Sequence, residues 1–122
     1  MKDGQPWMSF GLMGGAMQPQ GHAQIVMNLV DFDMNLQEAG DAARWQHYGS
    51  TDYDKPQMTD GGYVTVESGV PFESVKALEK LSHDMRTDTG GYGGYQAIRW
   101  DAENKVYIGA SESRKDGHAV GY

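Results

Sequence analysis

The 122-residue chain contains no cysteine. Disulfides, zinc–thiolate sites and thiol nucleophiles are thereby excluded. Basic residues are scarce too: ten Lys and Arg stand against seventeen Asp and Glu, a formal charge of −7. Binding to a nucleic-acid backbone needs clustered cations, so no nucleic-acid partner is expected. Long apolar runs are missing as well. No stretch approaches the roughly 20 residues of a bilayer span, so no membrane partner is expected. The start, Met1-Lys2-Asp3-Gly4, is polar, and no apolar run of about 7–15 residues follows it, so the chain reads as soluble and without a signal peptide. The compartment stays unassigned. Gly-x-Ser-x-Gly, the Walker sequence, an Asp-x-Asp-x-Asp-Gly loop and His-x-x-x-His are all absent. Neither a metal nor a cofactor is expected.

What is abundant is glycine, seventeen residues, about twice the average share. The length suits one domain with a real core. Acid is concentrated in residues 31–60, where Asp31, Asp33, Glu38, Asp41, Asp52, Asp54 and Asp60 face only Arg44 and Lys55. A solvated helix face followed by a loop accounts for it.

The pattern along the chain predicts seven elements. Pro6–Phe10 reads as a strand, punctuated by Gly11 to Gly15. A helix begins near Pro19, with His22, Ile25, Val26, Leu29 and Val30 on one face and Ala23 and Met27 widening it. Asn35 and Glu38 have capping-box spacing and start a second helix through Arg44. Residues 46–62 read as a loop. Tyr63–Glu67 alternates as a strand. Pro71 opens a helix with a stripe of Val75, Leu78, Leu81 and Met85. Tyr95–Trp100 and Lys105–Ala110 are strands joined by Asp101 to Asn104. The tail from Ser111 is polar and irregular. Helices and strands segregate into layers, an α+β arrangement.

Gly11 to His22 is the stretch with the most chemistry in it. A strand runs through glycines into a helix, and such a turn leaves N–H groups uncovered near a helix N-terminus. It is either a plain tight turn or a site for an anion or developing oxyanion. His22 lies on the helix stripe and reads as a hydrogen-bonded core histidine. His47 sits in acidic surroundings, His83 ends a helix, and His118 is in the tail. Ser9, Ser50, Thr51, Thr59, Ser111 and Ser113 are available hydroxyls, but no nucleophile–base set can be picked from them. The eight methionines are scattered and read as packing.

Three blocks together carry a resemblance. They are Met8 to His22 (MSFGLMGGAMQPQGH), Asp31 to Trp45 with Asp41-Ala42-Ala43-Arg44-Trp45 at its end, and Gly109 to Gly117 (GASESRKDG). In order and spacing they resemble the C-terminal part of the small subunit of γ-glutamyltransferases. The resemblance implies an N-terminal-nucleophile hydrolase with an αββα sandwich, made as a precursor that cleaves itself into large and small subunits. It implies a threonine nucleophile that takes up a γ-glutamyl group from glutathione-like amides and passes it to water or an amine. It assigns the backbone N–H groups of Gly14 and Gly15 to the oxyanion hole.

The same resemblance marks departures. The threonine belongs well upstream, yet Met1 stands only thirteen residues before Gly14. Residues 1–122 are therefore expected to be one C-terminal portion of such a small subunit, inactive alone, with the rest of that subunit and the large subunit as partners. Exposed sheet edges and apolar faces should make it self-associate. Ala43 and Ser113 replace prolines usual in the family. A non-catalytic assembly module and an acylase-type amidase with another acyl group are the alternative functions.

Overall fold

The computed structural model describes residues 1–49 and 56–121. The elements are β1 (Met8–Met13), α1 (Met17–Val30), α2 (Leu36–Asp41), β2 (Trp45–Tyr48), β3 (Tyr63–Val66), α3 (Phe72–Lys80), β4 (Met85–Thr87), β5 (Gly94–Asp101) and β6 (Val106–Ser111). They form an antiparallel sheet ordered β1-β5-β6 and a second sheet ordered β2-β3-β4. In the second, β2 and β3 are antiparallel, whereas β3 and β4 are parallel and joined through α3. The α+β class and the mainly antiparallel pairing are as expected. Among the described residues no helix is long and apolar enough to cross a membrane.

The first strand starts later and runs further than predicted. Gly11, Leu12 and Met13 pair with Gln96, Tyr95 and Gly94. Long-range pairing overrides the local glycine signal, and Leu12 is buried as a result. The helix after it begins at Met17, so Pro19 lies inside the first turn, where a missing N–H costs nothing.

The buried side of α1 differs from the predicted stripe. It comprises Met17, Gly21, Gln24, Ile25 and Leu29, while Ala23, Val26, Met27 and Val30 are exposed and His22 is half-buried. Gly21 turns inward because Leu12 fills the space beside it: a Cβ on Gly21 would come within 2.7 Å of Leu12 Cδ2. Gln24 turns inward because its carboxamide is fully paired. It donates to the Trp45 carbonyl at 2.8 Å and accepts from the Trp45 N–H at 3.0 Å. One turn earlier Gln20 does the same to His47, at 3.0 and 2.7 Å. Two glutamines four residues apart thus act as a surrogate strand along the edge of β2. That strand lies in a segment predicted to be loop, since its order depends on side chains from α1.

The Asn35 capping box forms with both halves present. Its helix stops at Asp41 rather than Arg44. Pro71 opens α3 as its N-cap, as expected, but no residue of α3 is buried. Leu81, beyond the helix, is 72% exposed, and Met85 belongs to β4, which the periodicity does not reveal. Of the last two strands, β5 extends one residue beyond expectation at each end and β6 is displaced by one residue. In their connecting turn Asp101 Oδ1 accepts from the N–H groups of Glu103 and Asn104, at 3.0 and 3.1 Å. Of the acidic segment, Asp31, Asp33, Glu38, Asp41 and Asp60 are exposed. Asp52, Asp54 and Lys55 lie outside the described residues, as do Ser50 and Thr51.

The main core sits between α1, α2 and one face of the first sheet, around Leu12, Ile25, Leu36, Tyr92 and Tyr95. Strand alternation turns Met13, Ile98, Trp100 and Tyr107 to the opposite face, where all four are exposed. The tail crosses part of that face, with Gly117 over Gln96 and Ala119 beside Gly109.

Close packing of α2 on this sheet yields a test. A Cβ on Gly40 would lie 2.4 Å from Cδ1 of the fully buried Tyr95 ring. Gly40→Ala is expected to lower unfolding stability by about 1–3 kcal/mol. Gly11→Ala, whose methyl enters open space, is expected to be neutral. Urea denaturation of the two variants checks both.

Candidate functional site

Between Met13 and Met17 the chain reverses through Gly14 (φ +140°) and Gly15 (φ +58°). Both values lie where glycine is favoured over every other residue. The carbonyls turn toward the helix: Gly14 accepts from the Met17 N–H at 3.1 Å and Gly15 from that of Gln18 at 3.0 Å. The Gly14 and Gly15 N–H groups have no acceptor among the described residues, and both glycines are exposed. Ala16, at the N-cap, supplies no side-chain cap. Open donors and the positive end of α1 therefore coincide, which favours an anion or developing oxyanion.

The polar residues after this turn are structural. Gln20 and Gln24 hold β2, and His22 Nε2 accepts the Leu12 N–H at 3.0 Å. That bond fixes the ring tautomer and caps the open edge of β1 just before the turn. Phe10 packs edge-on against the same ring, centroids 5.4 Å apart. His22 is thus half-buried and hydrogen-bonded.

A second constellation, unseen in the sequence, lies behind the turn. Arg44 is 1% exposed, and the Glu112 carboxylate beside it is fully enclosed. Arg44 Nη1 lies 2.9 Å from Glu112 Oε2 and donates to the Tyr92 carbonyl at 2.8 Å. Its Nη2 donates to the Gly40 carbonyl at 2.7 Å. Arg114 Nη1 also donates to Gly40 and to Glu112 Oε2, each at 2.8 Å. The Arg114 fork grips both oxygens of Glu67 and reaches the Ala42 carbonyl at 2.9 Å. The two arginines thereby cap the carbonyl end of α2. Two cations and two carboxylates balance, which is the condition for burying them.

The titrations follow from these contacts. Burial pulls Arg44 below its ordinary value, the nearby Arg114 charge adds to that, and Glu112 opposes it. Hydrogen bonds to Glu67 raise Arg114. Burial would raise Glu67, but hydrogen bonds from Arg114 and the Arg44 N–H, with both guanidinium charges, hold it below the usual carboxylate range. Burial pushes the Tyr95 hydroxyl up to about 12.

Among the described residues the remaining sequence candidates do not assemble into a second site. His47 Nε2 lies 2.8 Å from the Gly61 carbonyl. His83 follows α3 rather than ending it, its N–H on the Leu78 carbonyl. Among the described residues no histidine bonds a serine or threonine hydroxyl, and no cluster of His, Asp and Glu could hold a metal. Ser111 Oγ donates to Gln96 at 2.5 Å. The Ser113 N–H donates to Asp41 at 3.1 Å, a bond that proline could not make. The tail is irregular as expected, but Glu112 and Arg114 make it part of the core.

The family model for gamma-glutamyltranspeptidase matches residues 1–122. The chain belongs to the γ-glutamyltranspeptidase family. Within that family it is 26% identical to a glutathione hydrolase proenzyme of Bacillus subtilis over 98% of this chain and 19% of the relative. It is 29% identical to an acylase proenzyme of a Pseudomonas species, again over 98% and 19%. Cephalosporin acylase from Bacillus halodurans superposes with a TM-score of 0.81 at 40% identity, over 97% of this chain and 20% of that one. γ-Glutamyltranspeptidase from Pseudomonas nitroreducens superposes with a TM-score of 0.80 over the whole chain and 58% of its own, and at 22% identity it speaks for the fold alone. The chain spans about a fifth of the length of these curated relatives.

The depressed Glu67 carboxyl makes stability pH-dependent. Unfolded, Glu67 returns to its ordinary value near 4.5. Its contribution is full above that value, and it is lost as pH falls through the lower folded value. Between about pH 6 and pH 3 the wild-type chain should lose more stability than Glu67→Gln. Urea midpoints at the two pH values check this.

Proposed function

We propose that this segment supplies the oxyanion hole of an N-terminal-nucleophile hydrolase that transfers or hydrolyses γ-glutamyl groups. The uncovered N–H groups of Gly14 and Gly15 at the start of α1 carry the reading. When a nucleophile adds to an amide carbonyl, negative charge collects on its oxygen. Two fixed N–H donors at a helix N-terminus stabilise that charge without reorganising. The threonine nucleophile and the residues that choose the acyl group belong to other parts of a longer polypeptide, cut into large and small subunits. Residues 1–122 are one C-terminal portion of its small subunit.

The 40% identity to cephalosporin acylase favours a second reading. In it the same turn serves an amidase whose acyl group is not γ-glutamyl. Both readings use Gly14 and Gly15 in the same way, and parallel assays of a γ-glutamyl anilide and an acyl-cephalosporin amide on the longer enzyme separate them.

In the complete enzyme, Gly15→Pro removes one donor and is expected to lower turnover by about 10²–10³. An ester linkage in place of the Gly15 N–H removes the donor while keeping the turn, and should cost as much. Unchanged turnover in both would refute the assignment.

The purified 122-residue chain is expected to leave a γ-glutamyl anilide intact. It should also self-associate through the face that carries Met13, Ile98, Trp100 and Tyr107. Light scattering and the anilide assay test these. A monodisperse monomer counts against the first-sheet face as an interface, and hydrolysis counts against an external nucleophile.

A further inference from the structure

We propose that Gly93 is a positioning residue that sets the aim of the Gly14 N–H. The proposal rests on the reading of Gly14 and Gly15 as oxyanion donors. Gly93 is buried beneath the exposed turn, with φ +78°. A Cβ there would stand 2.2 Å from the Met13 carbonyl oxygen and 2.4 Å from Leu12 Cδ2. Seen from the other side, a Cβ on Gly14 would lie 3.2 Å from Gly93 Cα. The two backbones are in direct contact.

The Met13 carbonyl and the Gly14 N–H are opposite ends of one planar peptide group. Whatever displaces the oxygen must swing the N–H as well. Gly93 lets that plane lie where it does, and its own position is held on both sides. Arg44 grips the preceding carbonyl of Tyr92 at 2.8 Å, and the following Gly94 is paired with Met13. Leu12 has little room to retreat, because its δ-carbons also fill the space beside Gly21. A side chain at position 93 would therefore be relieved at the Met13–Gly14 peptide. Gly91, two residues earlier, provides the contrast. Its Cβ would meet nothing nearer than Tyr48 Oη at 3.7 Å and Gln46 Oε1 at 3.9 Å.

The test compares Gly93→Ala with Gly91→Ala. In the chain labelled with [15N]glycine, Gly93→Ala should displace the Gly14 amide resonance, and Gly91→Ala should leave it in place. In the longer enzyme, Gly93→Ala should lower kcat at least about tenfold with KM changed less than about threefold, because an oxyanion donor acts mainly in the transition state. An unmoved Gly14 resonance overturns the proposal, whatever happens to turnover. A displaced resonance with unchanged kcat upholds the coupling and overturns the oxyanion reading instead. If Gly93→Ala does not fold, Arg44→Lys reaches the same backbone through the Tyr92 carbonyl. It keeps the charge but cannot span the Tyr92 and Gly40 carbonyls together. It should move the Gly14 resonance along with that of Gly93, and a Gly14 signal that stays put while Gly93 moves overturns the proposal.

Discussion

A guanidinium shut away from water has to find its partners inside the protein, and that of Arg44 finds them in three separate parts of the chain. Arg44 holds Gly40 at the end of α2, Tyr92 just before β5 and Glu112 in the tail, while its backbone N–H donates to Glu67 at 2.7 Å. Removing the guanidinium would take the side-chain donor from the buried Tyr92 carbonyl, while Gly40 and Glu112 would keep Arg114. Arg114 completes the arrangement by joining Glu67 and Glu112 across it. The tail beyond the last strand is therefore part of the fold.

Around that cluster, peptide groups are satisfied by side chains where strands run out. Gln20 and Gln24 pair with β2, and His22 pairs with the edge of β1. All three project from α1, so one helix links the two sheets and carries the Gly14–Gly15 turn at its start. The turn gains a defined orientation from this. Its carbonyls are committed to the helix, its N–H groups have no acceptor among the described residues, and Gly14 rests on Gly93 beneath it.

Local signals in the sequence were legible where the structure is locally determined. The Asn35–Glu38 capping box and the Asp101 turn depend on atoms within three residues of one another, and both form as read. The Gly14–Gly15 turn was visible as punctuation between a strand and a helix. Elements that depend on distant partners were not. The second strand is short and polar, and it is ordered by glutamines some twenty or more residues earlier. Met85 to Thr87 forms a strand only because Val64 to Val66 lies parallel to it. The face of α1 was misjudged at Gln24 and Gly21 because hydrophobicity cannot tell that a carboxamide will be paired or that a leucine needs space.

The sequence by itself determined the class of fold, the family and the place of the strand-to-helix turn, because these reside in periodicity, capping residues and an ordered motif. Tertiary structure alone decided which helix face is buried, that Arg44, Glu67, Glu112 and Arg114 meet, and that Gly93 lies under Gly14. Each of those is a contact between residues far apart in the chain, and its energy exists only once the chain has closed on itself.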